Sequence, residues 1–212
     1  MKLAVIIPVY NAENTIRKAV KSIDTTHDVE IICINDGSTD RTKQVLTELQ
    51  KEVKHLIVYH QDNQGAAKSR NMGLSAMSDD IDAFMFLDAD DQFLPGKMDQ
   101  MIQYYEKNDH LDIVIGQIGR GMHGDWKVIP THEDIHREAM VSLAEAPEIL
   151  QSIGPGGKLF KAKFNTLRFD EDVVFCEEHT FVTRAYLMAR DIQLVPFIVY
   201  GYNEREGSIT DQ

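Results

Sequence analysis

Apolar segments that alternate with helical patterns are the feature of this sequence that most limits its fold. Four segments in the first half have the length and composition of buried strands: LAVIIPVY (3–10), EIICIN (30–35), HLIVYHQ (55–61) and AFMFLDA (83–89). Apolar strands separated by helices favour a parallel sheet covered on both faces, since parallel strands need crossover connections. The sequence therefore predicts an α/β fold with a mostly parallel central sheet flanked by helices, a Rossmann-like nucleotide-binding architecture.

The segments between these strands are typical of helices with one apolar face. The first helix is predicted over about residues 12–23, and the second follows the turn DGSTD (36–40). NQGAAKSRNMGLSAM (63–77) is typical of a loop that enters a helix, and a further helix is expected after Pro95.

The second half is expected to extend the same domain. It contains the predicted strands DIVIGQI (112–118) and IQLVPFIVY (192–200), and a predicted helix over about residues 177–190. Neither a repeat nor a linker rich in Pro, Gly or Ser divides the sequence. We therefore predict one domain over residues 1–212, with one half at about 1–118 and another at about 119–212.

The charge balance excludes one large class of partners. The chain has 22 Lys and Arg against 34 Asp and Glu, and its net charge is −12. No Lys/Arg-rich run supplies the basic face that binding to a nucleic-acid backbone requires. We therefore expect no nucleic-acid partner.

The sequence predicts a cytoplasmic protein, either free in the cytoplasm or bound at the inner face of the membrane. The first residues, MKLAVIIPVYNAENT, lack the features of a secretion signal, and no apolar run is long enough to be a transmembrane segment. Cys33 and Cys176 lie in unlike surroundings. They fit either two free thiols in a reducing compartment or one disulfide.

Polar residues end each of the four strands in the first half. These ends are Tyr10-Asn11, Asn35-Asp36, 61–63 (QDN) and Asp88-Ala89-Asp90. Each is consistent with a cap or turn, the commoner role of Asn and Asp. Because ligands of open parallel sheets bind outside the carboxyl ends of the strands, the four ends together favour a binding site.

The segment FMFLDADDQF (84–93) places three carboxylates at the end of an apolar strand. Asp88 and Asp90 are two residues apart, so in an extended segment they share one side. A hard cation with oxygen ligands can lie between such a pair and a diphosphate. Asp91 precedes the predicted helix start and is expected to serve the turn.

Four motifs together resemble the family 2 glycosyltransferases with the GT-A fold. They are VIIPVYNAENTI (5–16), INDGSTDRT (34–42), NQGAAKSRNMGL (63–74) and FLDADD (86–91), in the family's order and spacing. The resemblance is strong over about residues 3–120. It implies a UDP-sugar donor, a divalent cation such as Mn²⁺ or Mg²⁺, a nucleotide-sugar-binding first half and an acceptor-binding second half.

The resemblance also implies a set of donor-binding residues in the first half. The segment that lines the base and ribose corresponds to Pro8, Val9, Tyr10, Asn11 and Glu13. Its acidic partner for the uracil imide corresponds to Asp36, while Asn35 replaces the family's usual first Asp.

Three further positions complete the donor side that the resemblance implies. Arg70 corresponds to an arginine that contacts the nucleotide or braces the acidic site, although a purely structural role fits equally well. Asp88 would accept hydrogen bonds from ribose or sugar hydroxyls, and Asp90 would be the metal ligand.

The resemblance places the catalytic base at the acidic pair in FCEEHTFVTRAYL (175–187). Glu178 corresponds to the family's base, an Asp in most members, and Glu177 is the neighbouring alternative. An inverting transfer needs one carboxylate to take the proton from the acceptor hydroxyl. The structural alternative is that both acids only favour the helix N-terminus.

Two weaker similarities involve the second half. Gly157-Lys158-Leu159-Phe160 resembles a family segment usually written Asn-Lys-Leu-Tyr, in which the lysine is either structural or a phosphate contact. YNEREGSIT (202–210) resembles a segment that covers the diphosphate, which makes Arg205 and Ser208 candidate donor-binding residues.

The sequence thus predicts an inverting, metal-dependent glycosyltransferase that moves a sugar from a UDP-sugar to a hydroxyl of a glycan, polyol or cell-envelope polymer. Residues 177–210 are also similar to enzymes that add N-acetylglucosamine to bacterial wall teichoic acid, so polyol-phosphate acceptors are included. The alternatives are a nucleotidyltransferase-like enzyme and a non-catalytic nucleotide-sugar-binding module. PVYNAENT (8–15) stands where a nucleotidyltransferase has a Gly-rich basic loop.

Overall fold

One mixed sheet contains strands from both halves of the chain. The computed structural model describes residues 1–122, 124–173 and 176–203. The strands within these ranges are β1 Lys2–Val9, β2 Asp28–Asp36, β3 Leu56–Gln61, β4 Ala83–Phe86, β5 Gln92–Phe93, β6 Ile113–Met122, β7 Asp125–Val128, β8 Ala139–Val141, β9 Lys158–Lys161 and β10 Ile192–Asn203. The α-helices are α1 Ile16–Lys21, α2 Thr42–Glu52, α3 Ala66–Ala76, α4 Lys97–Lys107 and α5 Glu177–Met188. Short 3-10 helices cover Pro130–His132, Pro147–Gln151 and Ala162–Thr166.

The strand order confirms the predicted fold class. The main path of the sheet is β3-β2-β1-β4-β9-β6-β10-β5, while β7 pairs with β6 and β8 with β10. The pairs β3-β2, β2-β1, β1-β4 and β6-β10 are parallel. β9 is antiparallel to both β4 and β6, so it joins the parallel strands of the two halves.

Alternation along β1 divides the apolar core between the two faces of the sheet. Leu3, Val5 and Ile7 pack in a cluster with residues of α1, α2 and α4. Ala4 and Ile6 pack in the other cluster, with residues of α3 and α5. Because successive strand residues point to opposite faces, this continuous apolar strand supplies both clusters.

Helix α3 lies very close to β1. A Cβ atom built on Gly73 would lie 2.3 Å from Cγ2 of Ile6. The missing side chain therefore lets the helix backbone approach the strand, and it fixes the position of α3 at the carboxyl edge of the sheet.

The helix predicted over 12–23 is shorter in the structure. α1 begins at Ile16, because the preceding residues form a turn in which the backbone N–H of Thr15 donates to the carbonyl of Ala12. The amide of Ala12 donates to Oγ1 of Thr42, 2.8 Å away, which ties this turn to the start of α2. The short strands β5, β7 and β8 were not predicted, since two to four residues show no clear periodicity.

The helices are also short compared with a bilayer. Over the described ranges, none combines the length and hydropathy of a transmembrane helix.

Candidate active site

A cavity of about 280 Å³ opens at the carboxyl ends of β1, β2 and β4, beside the start of α3. It is lined by Pro8, Val9, Tyr10, Ala12, Asp36, Ala66, Ser69, Arg70, Asp88, Ala89 and Asp90. Crossover connections bring these separate segments to one edge because the strands are parallel. The structure therefore brings together seven of the predicted site residues: Pro8, Val9, Tyr10, Asp36, Arg70, Asp88 and Asp90.

Asn11 and Glu13 contact a neighbouring loop and are not among the residues that line this cavity. Oδ1 of Asn11 accepts a hydrogen bond from the amide of Thr39 at 2.8 Å. Oε2 of Glu13 accepts from the amide of Arg41 at 2.9 Å. These side chains join the loop after β1 to the loop after β2, and thereby shape the cavity wall that carries Tyr10, whose surface is 52% exposed.

Asp36 is buried and fastens the loop before α3. Its carboxylate accepts from the amides of Gln64 and Gly65, both at 2.8 Å, and from Nε2 of Gln61 at 2.7 Å. A carboxylate has about four acceptor positions, so room remains for one more donor from a ligand. Asn35 instead pairs with Nδ1 of His60 at 3.0 Å.

The three acids of the DADD segment have separate environments. Asp91 is buried, and its carboxylate accepts from the hydroxyl of Tyr200 at 2.8 Å and from the amide of Asn203 at 3.1 Å. Burial, followed by the charges of Asp88 and Asp90, raises the pKa of Asp91 to about 8. Asp91 therefore holds the turn, while the other two acids line the cavity.

Arg70 joins the two groups of acids. Its Nη2 lies 2.9 Å from Oδ1 of Asp88 and 2.5 Å from Oε1 of Glu178, and its Nη1 lies 3.5 Å from Oε1 of Glu177. Burial opposes the guanidinium charge, but these carboxylates outweigh it and raise the pKa of Arg70. Arg70 thus holds Asp88, which lines the cavity, next to the acidic pair of α5.

Arg70 also retains donors for a ligand. Its side chain is only 4% exposed, and the guanidinium lies 5.5 Å from the ring centre of Phe169. Among the described residues, Nε and Nη1 have no hydrogen-bond acceptor. Buried donors without partners are unfavourable, so an anionic group in the cavity would stabilise this arrangement.

Glu178 combines a partly exposed carboxylate with a raised pKa. Burial raises the pKa of Glu178, although the charge of Arg70 opposes the shift, and the nearby Asp88 and Glu177 raise it further. A carboxylate whose pKa is raised is a stronger base than a free one. The acidic pair lies in the first turn of α5, where the helix dipole also favours negative charge.

Lys158 is completely buried, so it does not reach the cavity as a phosphate contact. Its Nζ donates to Oγ of Ser152 at 2.7 Å and to the carbonyls of Gly154 and Gly156. Of the two roles considered for this lysine, the structure supports the structural one.

The carboxylates at the cavity suit a cation that binds together with a phosphate ligand. The described parts of the chain contain no group of three or more His, Cys, Asp or Glu side chains that could hold an ion. Mg²⁺ commonly uses one or two carboxylates together with waters and substrate phosphates. Asp88 and Asp90, both lining the cavity, fit that donor set.

Some site features lie outside the described residues or were missed in the sequence. Arg205 and Ser208 lie beyond residue 203 and are outside the described ranges. Tyr200 and Asn203 were not identified, because a residue at the far end of β10 carries no local signal that it contacts the DADD segment. Ser152 was also missed, although a lysine in the apolar segment KLF was a signal for a buried polar contact.

Sequence comparison shows the family to which the chain belongs. Residues 4–175 match the profile described as Glycosyl transferase family 2. A protein of Staphylococcus aureus strain N315, "Putative glycosyltransferase TagX", is 38% identical over 208 residues, which is 96% of this chain and 59% of that protein. "Glycosyltransferase GlyA" of Streptococcus pneumoniae is 32% identical over 99% of this chain and 31% of its own length. The chain therefore spans less than two thirds of these relatives.

Structure comparison shows the same fold. The crystal structure of S. aureus TarS 1-349 in complex with UDP-GlcNAc has a TM-score of 0.85 and is 23% identical, covering 100% of this chain and 61% of that one. A second crystal structure of S. aureus TarS 1-349 has a TM-score of 0.84. The predicted GT-A architecture is thus confirmed, and by its sequence this chain belongs to glycosyl transferase family 2.

Proposed function

We propose that this chain forms the catalytic part of an inverting, metal-dependent glycosyltransferase, which moves a sugar from a UDP-sugar to an acceptor hydroxyl. The observation that carries the proposal is the pair of contacts made by Nη2 of Arg70. A single guanidinium nitrogen contacts Asp88, which lines the cavity, and Glu178, the proposed base. These contacts would keep a donor bound in the cavity within reach of the base.

The cavity supplies groups suited to each part of a nucleotide sugar. Pro8, Val9 and Tyr10 line the cavity and offer an apolar wall for the base, and Asp36 retains an acceptor position for its imide. Nε and Nη1 of Arg70, which have no hydrogen-bond acceptor among the described residues, would donate to phosphate oxygens. The TarS complex supports a UDP-sugar as the donor and makes UDP-GlcNAc the first one to test.

Transfer would require one proton movement and one displacement. The acceptor oxygen attacks the anomeric carbon, and its proton passes to the Glu178 carboxylate. The bond from the anomeric carbon to the diphosphate oxygen breaks, and UDP leaves with the electron pair. Attack from the face opposite UDP inverts the configuration. Glu177 is the alternative base, because it lies in the same first turn of α5.

Asp90 would hold a Mn²⁺ or Mg²⁺ ion, whose charge stabilises the departing diphosphate. Asp88 would accept hydrogen bonds from ribose or sugar hydroxyls, and Arg205 and Ser208 would cover the diphosphate. The acceptor class that we propose is a glycan, a polyol or a cell-envelope polymer, including polyol phosphates. The two cysteines are free in the structure, which supports a reducing cytoplasmic location, including the inner face of the membrane.

The direct test is release of UDP from a panel of UDP-sugars, with water or a hydroxyl acceptor, in the presence of Mn²⁺ or Mg²⁺. We expect turnover with at least one donor and its loss on chelation of the metal. Glu178→Gln should lower acceptor-dependent turnover by about 10²- to 10⁴-fold, the usual contribution of a general base, and Glu177→Gln by much less.

Glu48→Gln is the matched control, because Glu48 is an exposed helix acid that pairs with Arg17. Its turnover should equal that of the unmodified chain. UDP binding without turnover of any donor would identify a binding module instead, and NTP-dependent formation of a nucleotide sugar would identify a nucleotidyltransferase. Full activity of Glu178→Gln would contradict the proposed base.

A further inference from the structure

The first residue of β9 is a buried lysine that the proposed mechanism does not use, and it contacts the turn between Pro147–Gln151 and β9. Lys158 has no exposed surface, and its Nζ is surrounded by acceptors of this turn: Oγ of Ser152 at 2.7 Å, the carbonyl of Gly154 at 2.5 Å and the carbonyl of Gly156 at 3.4 Å. No ion pair between this ammonium and a carboxylate occurs among the described residues. Burying an ammonium is unfavourable, so its retention calls for a specific role.

Three contacts anchor this ring of acceptors to the rest of the fold. Nδ1 of His132 accepts from the amide of Ile118 at 3.2 Å, so Nε2 carries the proton and donates to Oγ of Ser152 at 2.8 Å. The carbonyl of Ser152 accepts from the hydroxyl of Tyr186 at 2.9 Å. Tyr186 lies on α5, eight residues after Glu178, and therefore on about the same face of that helix. The turn is thus joined to the helix that carries the base.

The turn approaches the base at one particular atom. Oε1 of Glu178 contacts Arg70, whereas Oε2 would lie 3.5 Å from a Cβ atom built on Gly154. Arg70 thus holds Oε1, and Oε2 is the carboxylate oxygen nearer to Gly154. It is therefore the oxygen placed to accept a proton, and the absent side chain of Gly154 leaves space beside it.

We propose that Lys158 is a positioning residue that holds residues 152–156 against Glu178, so that the Gly154 backbone forms the acceptor side of the active site. This inference rests on the proposed function. The charge of Glu178 also interacts with the lysine. Burial lowers the pKa of Lys158 to about 7, and the charge of Glu178 opposes that shift. The lysine acts through the turn and touches neither substrate.

The first test compares Lys158→Met with Lys161→Met, a matched change in the same strand. Nζ of Lys161 donates to the carbonyl of Asp109, outside the cavity. Lys158→Met should lower kcat for acceptor transfer at least about tenfold, because small displacements at a reacting centre are costly. KM for the donor and the affinity for UDP should stay within about twofold of the unmodified chain. Lys161→Met should change none of these values.

Gly154→Ala provides a second test if Lys158→Met fails to fold. The backbone of Gly154 is not in the left-handed region, and the added methyl would make ordinary contact with Oε2, so this variant is expected to fold. The methyl should exclude the acceptor hydroxyl, and acceptor transfer should fall at least about tenfold while UDP binding is retained.

Hydrogen exchange of the peptide that covers residues 150–157 gives a readout independent of activity. Exchange should be faster in Lys158→Met than in Lys161→Met. An inactive unmodified chain would refute the proposed function and leave this measurement to decide the role of the turn. Unchanged transfer by Gly154→Ala, unchanged exchange in Lys158→Met, or equal loss of UDP binding and transfer would each overturn the inference.

Discussion

At the scale of single residues, Arg70 links the acidic residues of the site. Its guanidinium is almost fully buried and contacts three carboxylates. Arg70→Met would leave Asp88 and Glu178 close together without their shared cation. Removing one partner of a fully buried ion pair costs about 3–5 kcal/mol. Asp88 and Glu178 are partly exposed, so we expect a loss below that figure in the free energy of unfolding, together with loss of turnover. Urea denaturation and UDP release measure the two effects.

The control for this prediction is Arg17→Met. Arg17 also contacts two carboxylates, those of Glu48 and Glu52, but its side chain is 37% exposed. Pairs that water screens contribute little, so this variant should unfold at nearly the same urea concentration as the unmodified chain. Equal effects of the two changes would show that the burial of Arg70 is unimportant. Arg70→Lys should restore charge but not turnover, since an ammonium lacks the planar fork of donors.

Residues that are placed by the end of a strand could be predicted, whereas residues that are placed by contacts far away along the chain could not. Asp88, Asp90 and Asp36 could be proposed because a strand end fixes where such side chains lie. The orientation of Asn11 and Glu13 toward the next loop could not be predicted, because it depends on contacts with residues 39–41. It also depends on the left-handed backbone of Asn11, whose φ is 46°. Sequence periodicity describes which face a residue occupies but not which loop its side chain meets.

At the scale of elements, the end of β10 determines where the DADD segment lies. The hydroxyl of Tyr200 donates to Asp91 and accepts from the amide of Asp88 at 3.1 Å. Tyr200→Phe would remove both bonds while keeping the ring. We expect a loss of about 1–3 kcal/mol in the free energy of unfolding, and a higher KM for the donor because the Asp88 backbone loses its partner.

Tyr105→Phe separates these two effects. The hydroxyl of Tyr105 is also buried and donates to the carbonyls of Asp112 and Leu159, outside the cavity. This control should show a similar loss of stability with an unchanged donor KM. If the donor KM rose equally in both variants, the link between Tyr200 and the donor site would be wrong.

Strand β10 also shows why the parallel strands of the first half could be predicted from the sequence more fully than the strands of the second half. β1, β2 and β4 are continuous apolar segments that pair with neighbours in the first half. β10 instead pairs with β5, β6 and β8 and has register shifts between Leu194 and Tyr200. Pairings across such long separations leave little periodic trace in a two- or three-residue strand.

At the scale of the whole molecule, the site lies between two differently built regions. The parallel strands β1, β2 and β4 present the cavity that we propose for the donor, whereas the acidic pair comes from α5 in the second half. Strand β9 connects the two regions, since it pairs with β4 on one side and β6 on the other. Stability of the second half should therefore influence transfer to the acceptor more than binding of UDP.

The buried His132 should make the free energy of unfolding dependent on pH. Burial, followed by the charge of Lys158, lowers the pKa of His132 to about 3, whereas an unfolded histidine titrates near about 6.5. Below the unfolded value, only the unfolded chain takes up this proton, so the contribution to stability is lost as the pH falls. The loss is about 1.4 kcal/mol for each pH unit well below 6.5 and above 3. His132→Gln removes this dependence, so the stability difference between the two proteins should narrow steadily from pH 7 to pH 5 in urea denaturation. His110→Gln, at an exposed histidine, is the matched control, and parallel curves for His132→Gln and the unmodified chain would contradict the assigned pKa.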